Sequence, residues 1–446
     1  MVIKIPQQVN RVIENLHREG YTAYIVGGAC RDIIMGAEAH DWDVATSALP
    51  HETAQVFRNY RVIETGIKHG TVTVVIDGTN IEITTYRIEK GYSDNRHPDS
   101  VDFTDKIEED LSRRDFTVNA IAYSPVSGTV DPYGGQTDIE SKIIRCVGNP
   151  DTRFGEDALR ILRALRFSAT LGFEIDSETT ESIHRNKELL ANISAERIFI
   201  EISKMLCGKD IKRILLDFSD VLFFILPQLG AMKGCTQNHE RHIYDVWGHT
   251  VAAVDSVKPE THLRFAMLLH DSGKPLVKTT DKNGTDHFYS HAKKSREIAF
   301  EILSKLKTSV KFRESVCSLV EHHDFLPDKI SRKTYKKYIG LLGIETVRDL
   351  FEVRKADISA QNPKFLAESL EANKKGLAIL KEITEENTCF KISDLAINGK
   401  DLEKAGFKPS PQMGRILNIL LDEVMGDKLE NKKEILLERA KNIRDI

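Results

Sequence analysis

Cysteine is scarce and scattered in this chain. The six residues (Cys30, Cys146, Cys207, Cys235, Cys317, Cys389) never form a C-x-x-C pair. That argues against a zinc ribbon and a disulfide framework, and points to a reducing cytosol. Long apolar runs are missing as well. No stretch is long enough to span a bilayer, and no charged-then-apolar leader opens the chain. Residues 1–19 instead set Ile5, Val9, Val12, Ile13 and Leu16 at helical spacing, the pattern of a packed amphipathic helix. A cytoplasmic protein with no membrane partner is expected. Neither sign of charge dominates: 63 Lys and Arg face 67 Asp and Glu, a net charge of −4. The chain is no polycation, so any nucleic-acid surface must be local. Two basic runs qualify, Arg332-Lys333-Lys336-Lys337 interleaved with Tyr335 and Tyr338, and Lys432-Lys433, but a solvated helix face explains both. Proline is limited to 13 residues, and there is no internal repeat or low-complexity tract. With 41% hydrophobic and 29% charged residues over 446 positions, the chain reads as globular, with two to four domains.

What is present is concentrated at 27-GGACRD-32 and 41-DWD-43. Gly27 and Gly28 follow an apolar run, Tyr24-Ile25-Val26, and precede a helical pattern from Ala29 to Met35. Glycines at a strand-to-helix turn let backbone N–H groups approach an anion at the positive end of the helix dipole. Asp41 and Asp43 sit two apart, so on a strand both carboxylates point one way. Carboxylates that close repel unless a divalent cation joins them, and Mg²⁺ prefers oxygen ligands. Taken singly, Gly-Gly is a turn and Asp-X-Asp a surface pair or helix cap. Together they outline a phosphate cradle beside a metal-binding pair, a layout for two-metal phosphoryl or nucleotidyl transfer.

Up to about residue 145 the pattern is mixed α/β. Val72–Ile76, the Asp77-Gly78 turn and the alternation from Ile81 to Tyr86 read as a hairpin. Glu82 shares a strand face with Thr84 and is a candidate third carboxylate or an exposed strand residue. From Glu156 onward strand signals almost vanish and helical periodicity takes over. Segment 91–103 is polar and aperiodic, the signature of a mobile loop. In 113-RRDFTVNA-120, the arginine forks suit phosphate oxygens and Asn119 suits a sugar hydroxyl. A helix start capped by Asp115 or Thr117 fits the same residues. In 156-EDALRILRALRF-167, Asp157, Arg160 and Arg163 fall three apart and would line one helix face, either as surface ion pairs or as a set that reads a base edge. Leu159, Leu162 and Phe167 are left for packing.

In this order and spacing the segments resemble the class II tRNA nucleotidyltransferases, the bacterial CCA-adding enzymes, over about the first 230 residues. The resemblance implies a polymerase β-like α/β nucleotidyltransferase head at 1–145. An all-α neck that selects the nucleotide and binds RNA follows at 146–235, then a body at 236–365 and a tRNA-binding tail at 366–446. Asp41 and Asp43 would be catalytic and hold Mg²⁺. Gly28 and Arg31 would contact the triphosphate, and Arg114, Asp115 and Asn119 the sugar and phosphates. Asp157 and Arg160 would pair with the base of CTP or ATP, supported by Arg163 and Arg166. The implied partners are the acceptor stem and 3′ end of tRNA. Loop 91–103 matches the flexible loop needed for the final A, and 66-GIKHGTV-72 stands where poly(A) polymerases are Arg-rich. The alternatives are an A-adding enzyme, a poly(A) polymerase, or a protein acting chiefly through its second half.

That second half carries an ordered series, His249, 270-HD-271, His291, 322-HH-323 and Asp357. It resembles the HD-domain phosphohydrolases, and imidazoles with a carboxylate suit a transition metal better than Mg²⁺. The resemblance implies metal binding at His249, His270, Asp271 and Asp357, and it makes the last alternative concrete: a protein that is chiefly an HD-type metal-dependent phosphohydrolase acting on RNA ends or nucleotides. His291 with either His322 or His323 would supply a second metal position.

Overall fold

A computed structural model describes residues 5–39, 42–67, 70–91, 100–325, 331–386 and 389–444. The chain divides into two compact units, Met1–Pro227 and Gln228–Ile446.

The first unit opens with α1 (Gln7–Arg18), whose Val9, Val12, Ile13 and Leu16 are buried at the predicted helical spacing. Each such side chain contributes about 1.5–3 kcal/mol on leaving water. The strands β1 (Ala23–Val26), β2 (Asp43–Thr46), β3 (Arg61–Ile63), β4 (Thr71–Ile76), β5 (Thr79–Thr85), β8 (Ala122–Ser124) and β9 (Gly128–Val130) form one sheet in the order β3-β4-β5-β2-β1-β8-β9. Only β2 and β5 run parallel within it. The β4–β5 hairpin is the expected one, turning at Asp77-Gly78 with both residues at positive φ. A separate ribbon pairs β6 (Arg87–Lys90) with β7 (Ser100–Phe103). The expected loop 91–103 therefore ends in a strand at Ser100–Phe103, because cross-strand pairing with 87–90 supplies an order that its own polar sequence does not signal. Residues 92–99 of that loop lie outside the described residues.

Helices α2 (Gly27–Ile34), α3 (Pro50–Val56), α4 (Ile107–Ser112) and α5 (Gly135–Ser141) accompany the sheet, and the rest of the unit is built from α6 (Pro150–Glu156), α7 (Leu159–Leu171), α8 (Ser177–Asn186), α9 (Ala195–Leu206), α10 (Ile211–Asp217) and α11 (Ser219–Ile225). The continuous helix expected from Glu156 is in fact broken. Asp157 ends α6 in an extended conformation (φ −138°, ψ 102°), and α7 begins two residues later. Asp157 accordingly shares no helix face with Arg160 and Arg163. Its side chain accepts from the Leu159 amide, the local bond by which Asp competes with helix continuation.

The second unit holds α12 (Val246–Ser256), α13 (Thr261–Leu269), α14 (Lys274–Val277), α15 (His291–Lys305), α16 (Val310–His322), α17 (Arg332–Leu342) and α18 (Ile344–Ser359), followed by α19 (Leu366–Glu385), α20 (Gly399–Lys404), α21 (Pro411–Met425) and α22 (Lys433–Arg444). Its described strands are one two-residue pair, at Thr279–Thr280 and Asp286–His287. No described helix is long and apolar enough to cross a membrane.

Candidate active site

Strand pairing explains why the two opening motifs meet. β1 and β2 are antiparallel with Val26 opposite Asp43, so the last residue before the Gly27 turn lies beside the first residue of β2. On the other side β2 pairs with β5, with Asp43 beside Glu82. Both carboxylate residues are exposed. Asp41 lies outside the described residues. Gly27 has φ +69°, and a Cβ there would come within 3.1 Å of Arg114 Nη1, so conformation and space both ask for glycine. Oxygen donors at adjoining strand registers, open to solvent, suit a hard divalent cation.

The turn opens onto a cleft of about 570 Å³ lined by seven arginines and four aspartates, among them Arg31, Arg114, Asp115, Asp157, Arg160 and Arg163, with Gly28, Asn119 and Arg166 also on its wall. A surplus of guanidinium groups around a polar cavity favours a polyanion. The arginines are held by one another's partners. Arg31 Nη1 donates to Asn119 Oδ1 (2.8 Å), Asn119 Nδ2 to Asp115 Oδ1 (3.1 Å), and Arg163 Nε to Asp115 Oδ2 (2.8 Å). Burial alone would raise the Asp115 carboxyl, but the Arg163 guanidinium and the Asn119 amide hold it down at about 2. Asp115 caps no helix. Its carboxylate accepts from the Phe116 amide, and Thr117 donates its hydroxyl to Asp138 in a short 3₁₀ turn over Thr117–Asn119. Gly135 packs against that turn, where a Cβ would lie 2.2 Å from the Thr117 carbonyl oxygen.

Several contributors escaped the sequence reading. Asp110 is buried and accepts from Arg113 (Nη2, 2.7 Å) and Arg114 (Nη2, 3.2 Å), aiming the Arg pair from the end of α4. Its spacing of three and four from the two arginines was a usable signal. Phe167 does more than pack. Arg31, Arg163 and Arg166 lie 5.3, 5.4 and 4.0 Å from its ring centroid, so an aromatic face steadies three cations. Arg166 is further paired with buried Glu201 (2.7 Å). Arg160 donates to Glu156 Oε2 (2.6 Å) and to the carbonyls of Arg113 and Arg153. Asp157 pairs with Arg197 of α9 at 2.9 Å, a partner forty residues on that no local pattern announces.

The second unit gathers the other predicted residues. His249 comes from α12, His270 and Asp271 from the end of α13, His291 from the start of α15, and Asp357 from α18. Of the two alternatives, His323 joins them; its Nε2 is 3.1 Å from that of His291, while His322 packs on Tyr338. Asp271 Oδ2 faces His270 (3.2 Å) and His249 (3.6 Å), and Oδ1 faces His291 (3.3 Å) and His323 (3.7 Å). Asp357 Oδ1 is 3.0 Å from His249 Nε2. The Nδ1 atoms of His249, His270, His291 and His323 lie 3.3, 2.7, 2.9 and 2.7 Å from backbone carbonyls of Ala360, Met267, Phe288 and Val320. Donation there leaves each Nε2 lone pair turned inward, the tautomer that metal-ligating imidazoles need. Both Asp271 oxygens are buried without a well-formed hydrogen bond, although Lys274 Nζ is 2.8 Å from Oδ2. This donor set fits cations. His242, edge-on to His249 at 5.4 Å, was not foreseen; burial pushes its imidazole down to about 3.

Fold and cleft together define a nucleotidyltransferase head on a helical remainder. Residues 23–145 match the poly A polymerase head domain, 172–232 the probable RNA- and SrmB-binding site of polymerase A, and 287–440 the putative domain 2 of tRNA nucleotidyltransferase. The chain is 33% identical to the CCA-adding enzyme of Ligilactobacillus salivarius over 99% of its own length and 98% of that enzyme. It is 50% identical to the enzyme of that name from Geobacillus thermodenitrificans over 202 residues, 45% of this chain and 50% of the relative. The crystal structure of the Bacillus stearothermophilus CCA-adding enzyme in complex with CTP matches with a TM-score of 0.77 at 28% identity, covering 98% of this chain and 97% of that one. The chain belongs to the family of CCA-adding enzymes, the tRNA nucleotidyltransferases. Membership implies use of a divalent metal ion.

Proposed function

We propose that this protein adds the terminal CCA to the 3′ end of tRNA from CTP and ATP without a nucleic-acid template. The observation that carries the reading is the convergence, in one cleft, of the Gly27-Gly28 turn, Asp43, the arginines and Asp157. The curated relatives matched over nearly their whole length carry the name CCA-adding enzyme, which favours this product over A-only addition or a poly(A) tail.

In this reading Asp41 and Asp43, with Glu82 beside Asp43, hold Mg²⁺, which when bound supplies charge for the attacking 3′-hydroxyl and the departing pyrophosphate. Gly28, Arg31 and Arg114 receive the triphosphate, and their positions fixed by Asp32, Asn119 and Asp110 need no rearrangement when charge develops. Asp115 and Asn119 orient the sugar side, while Arg163 and Arg166 hold the wall behind it. Asp157 accepts from the amino group of cytosine or adenine, and Arg160 completes the edge. The helical segments 146–235, 236–365 and 366–446 serve as neck, body and tail, reading the acceptor stem by shape and phosphate contacts. Free thiols at all six cysteines suit the reducing cytoplasm where tRNA is processed. The test uses tRNA transcripts ending at the discriminator base, at C and at CC, with labelled CTP and ATP. Growth that stops at CCA on all three is expected; no incorporation, growth only from CC, or an unbounded A ladder overturns the reading.

A second activity is favoured by one specific arrangement, the four inward Nε2 atoms around Asp271. We infer that this cluster takes two transition-metal ions and acts as an HD-type phosphohydrolase; His249, His270 and Asp271, with Asp357 beside His249, would hold one, and Asp271, His291 and His323 the other. Release of phosphate from a chromogenic phosphoester in Mn²⁺ or Ni²⁺, abolished by His270→Ala, is expected. Failure to retain any metal after dialysis sinks it.

A further inference from the structure

We propose that Arg197 is the positioning residue that sets nucleotide specificity, by fixing the direction of the Asp157 carboxylate; the proposal rests on the reading that Asp157 accepts from the base. Asp157 stands in the break between α6 and α7, so no helix backbone determines where its side chain points. Two contacts do so instead. The Leu159 amide holds Oδ1 at 3.1 Å, and Arg197 Nη2 holds Oδ2 at 2.9 Å from another helix. Arg160, the nearest arginine in sequence, is committed to Glu156 and to two backbone carbonyls and does not share this duty. Arg197 lines the same cleft, and its Nη1 is buried without a hydrogen-bond partner. A buried donor left unmatched is costly and marks a place where a ligand or ordered group completes the set.

The chemical consequence follows from the acceptor-only character of a carboxylate. With both oxygens anchored, the remaining lone pairs point in fixed directions. Cytosine N4 and adenine N6 donate to such an acceptor, whereas uracil O4 and guanine O6 present lone pairs of their own and are repelled. One anchored carboxylate thus admits the two amino bases and rejects the two keto bases. Released from Arg197, Asp157 turns toward solvent or its own helix start, and an acceptor that moves no longer rejects.

The experiment measures kcat/KM for CTP and UTP on a transcript lacking CCA, and for ATP and GTP on one ending in CC, with the full chain. Each ratio is taken on one preparation, so the folded fraction cancels. For Arg197→Met the CTP:UTP and ATP:GTP ratios are expected to fall about 10- to 100-fold, with Arg197→Lys recovering part of the loss by restoring one donor. Equal slowing of all four nucleotides, with ratios unchanged, makes Arg197 a packing residue and overturns the proposal. Asp157→Ala separates the two layers. If it loses discrimination while Arg197→Met keeps it, Asp157 reads the base and Arg197 does not position it. If Asp157→Ala itself discriminates as before, the base-reading assignment fails and this proposal falls with it.

Discussion

The cleft of the first unit collects guanidinium groups around an open space of about 570 Å³, with Asp43 exposed on its wall and Glu82 exposed beside it in strand register. The cluster of the second unit collects imidazoles around one aspartate, and His249, His270, Asp271, His291, His323 and Asp357 are all buried. Exposed oxygen ligands hold a hard cation that arrives and leaves with its phosphate substrate. Buried imidazoles of fixed tautomer suit a softer ion kept as part of the fold. Under the proposed function, donor type and burial would keep two kinds of metal chemistry apart within one chain.

Removing a carboxylate from the open cleft tests that separation most severely. Asp43→Ala is expected to lower nucleotide incorporation by about 10³-fold or more, since several kcal/mol of transition-state stabilisation goes with the ion. Metal retained by the second unit should be unchanged. Loss of both together would break the comparison. The reciprocal variant, His270→Ala, should lower bound transition metal after dialysis by at least one equivalent, measured by elemental analysis, and leave CCA addition within about twofold. Chelation followed by Mg²⁺ alone should restore incorporation without restoring the second unit's metal.

The legible part of the molecule is the part encoded locally. A strand, two glycines, a helix and a second strand opening at Asp43 fix their own geometry, because β1–β2 pairing needs only the short connection between them. The 3.6-residue period of α1 and the Asp77-Gly78 hairpin are local in the same sense. What stayed hidden depends on partners far along the chain. Asp157 looked helical because its neighbours are, yet its own side chain ends α6. Arg197 and Glu201 belong to a helix whose sequence reads as ordinary amphipathic surface. His322 and His323 are adjacent, and only the rotation of α16 decides that His323 faces Asp271. The strand at 100–103 is likewise set by its pairing with 87–90.

A smaller effect probes what holds the arginines of the open cleft. Asp115 has its carboxyl depressed from 3.8 to about 2, against the opposing pull of burial, by Arg163 and Asn119. A folded-state value below the unfolded one adds stability that is present above about pH 4 and is lost as pH falls toward 2. The difference is on the order of 2 kcal/mol at neutral pH. Asp115→Asn should therefore lower denaturant stability by about that amount at pH 7 and by roughly half of it at pH 3, where the folded-state carboxyl is still mostly ionised. An equal loss at both values would place the effect in packing rather than in charge.

The smallest expected effect concerns the basic run at 332–337, the most RNA-like patch by composition. Each charge there already has an acidic partner: Arg332 with Glu382 and Glu386, Lys333 and Lys337 with Asp422, and Lys336 with Asp427. Tyr335 is buried against Phe351 and Phe325 and offers no face to a base. Lys336 is buried, but an exposed pair such as Lys337–Asp422 contributes about 0–1 kcal/mol. A side chain satisfied within the protein also releases few counterions on meeting phosphate. Lys337→Ala should thus shift the melting temperature by no more than a degree or two and leave the salt dependence of tRNA binding unchanged. Arg114→Ala is the contrast: although Asp110 holds one end of its guanidinium, the side chain lines the cleft, and its loss should weaken CTP binding at least tenfold. If Lys337→Ala flattened the salt dependence of tRNA binding, composition would have been a better guide to the RNA surface than charge pairing, and the distinction between cations that line the cleft and cations paired outside it would fail.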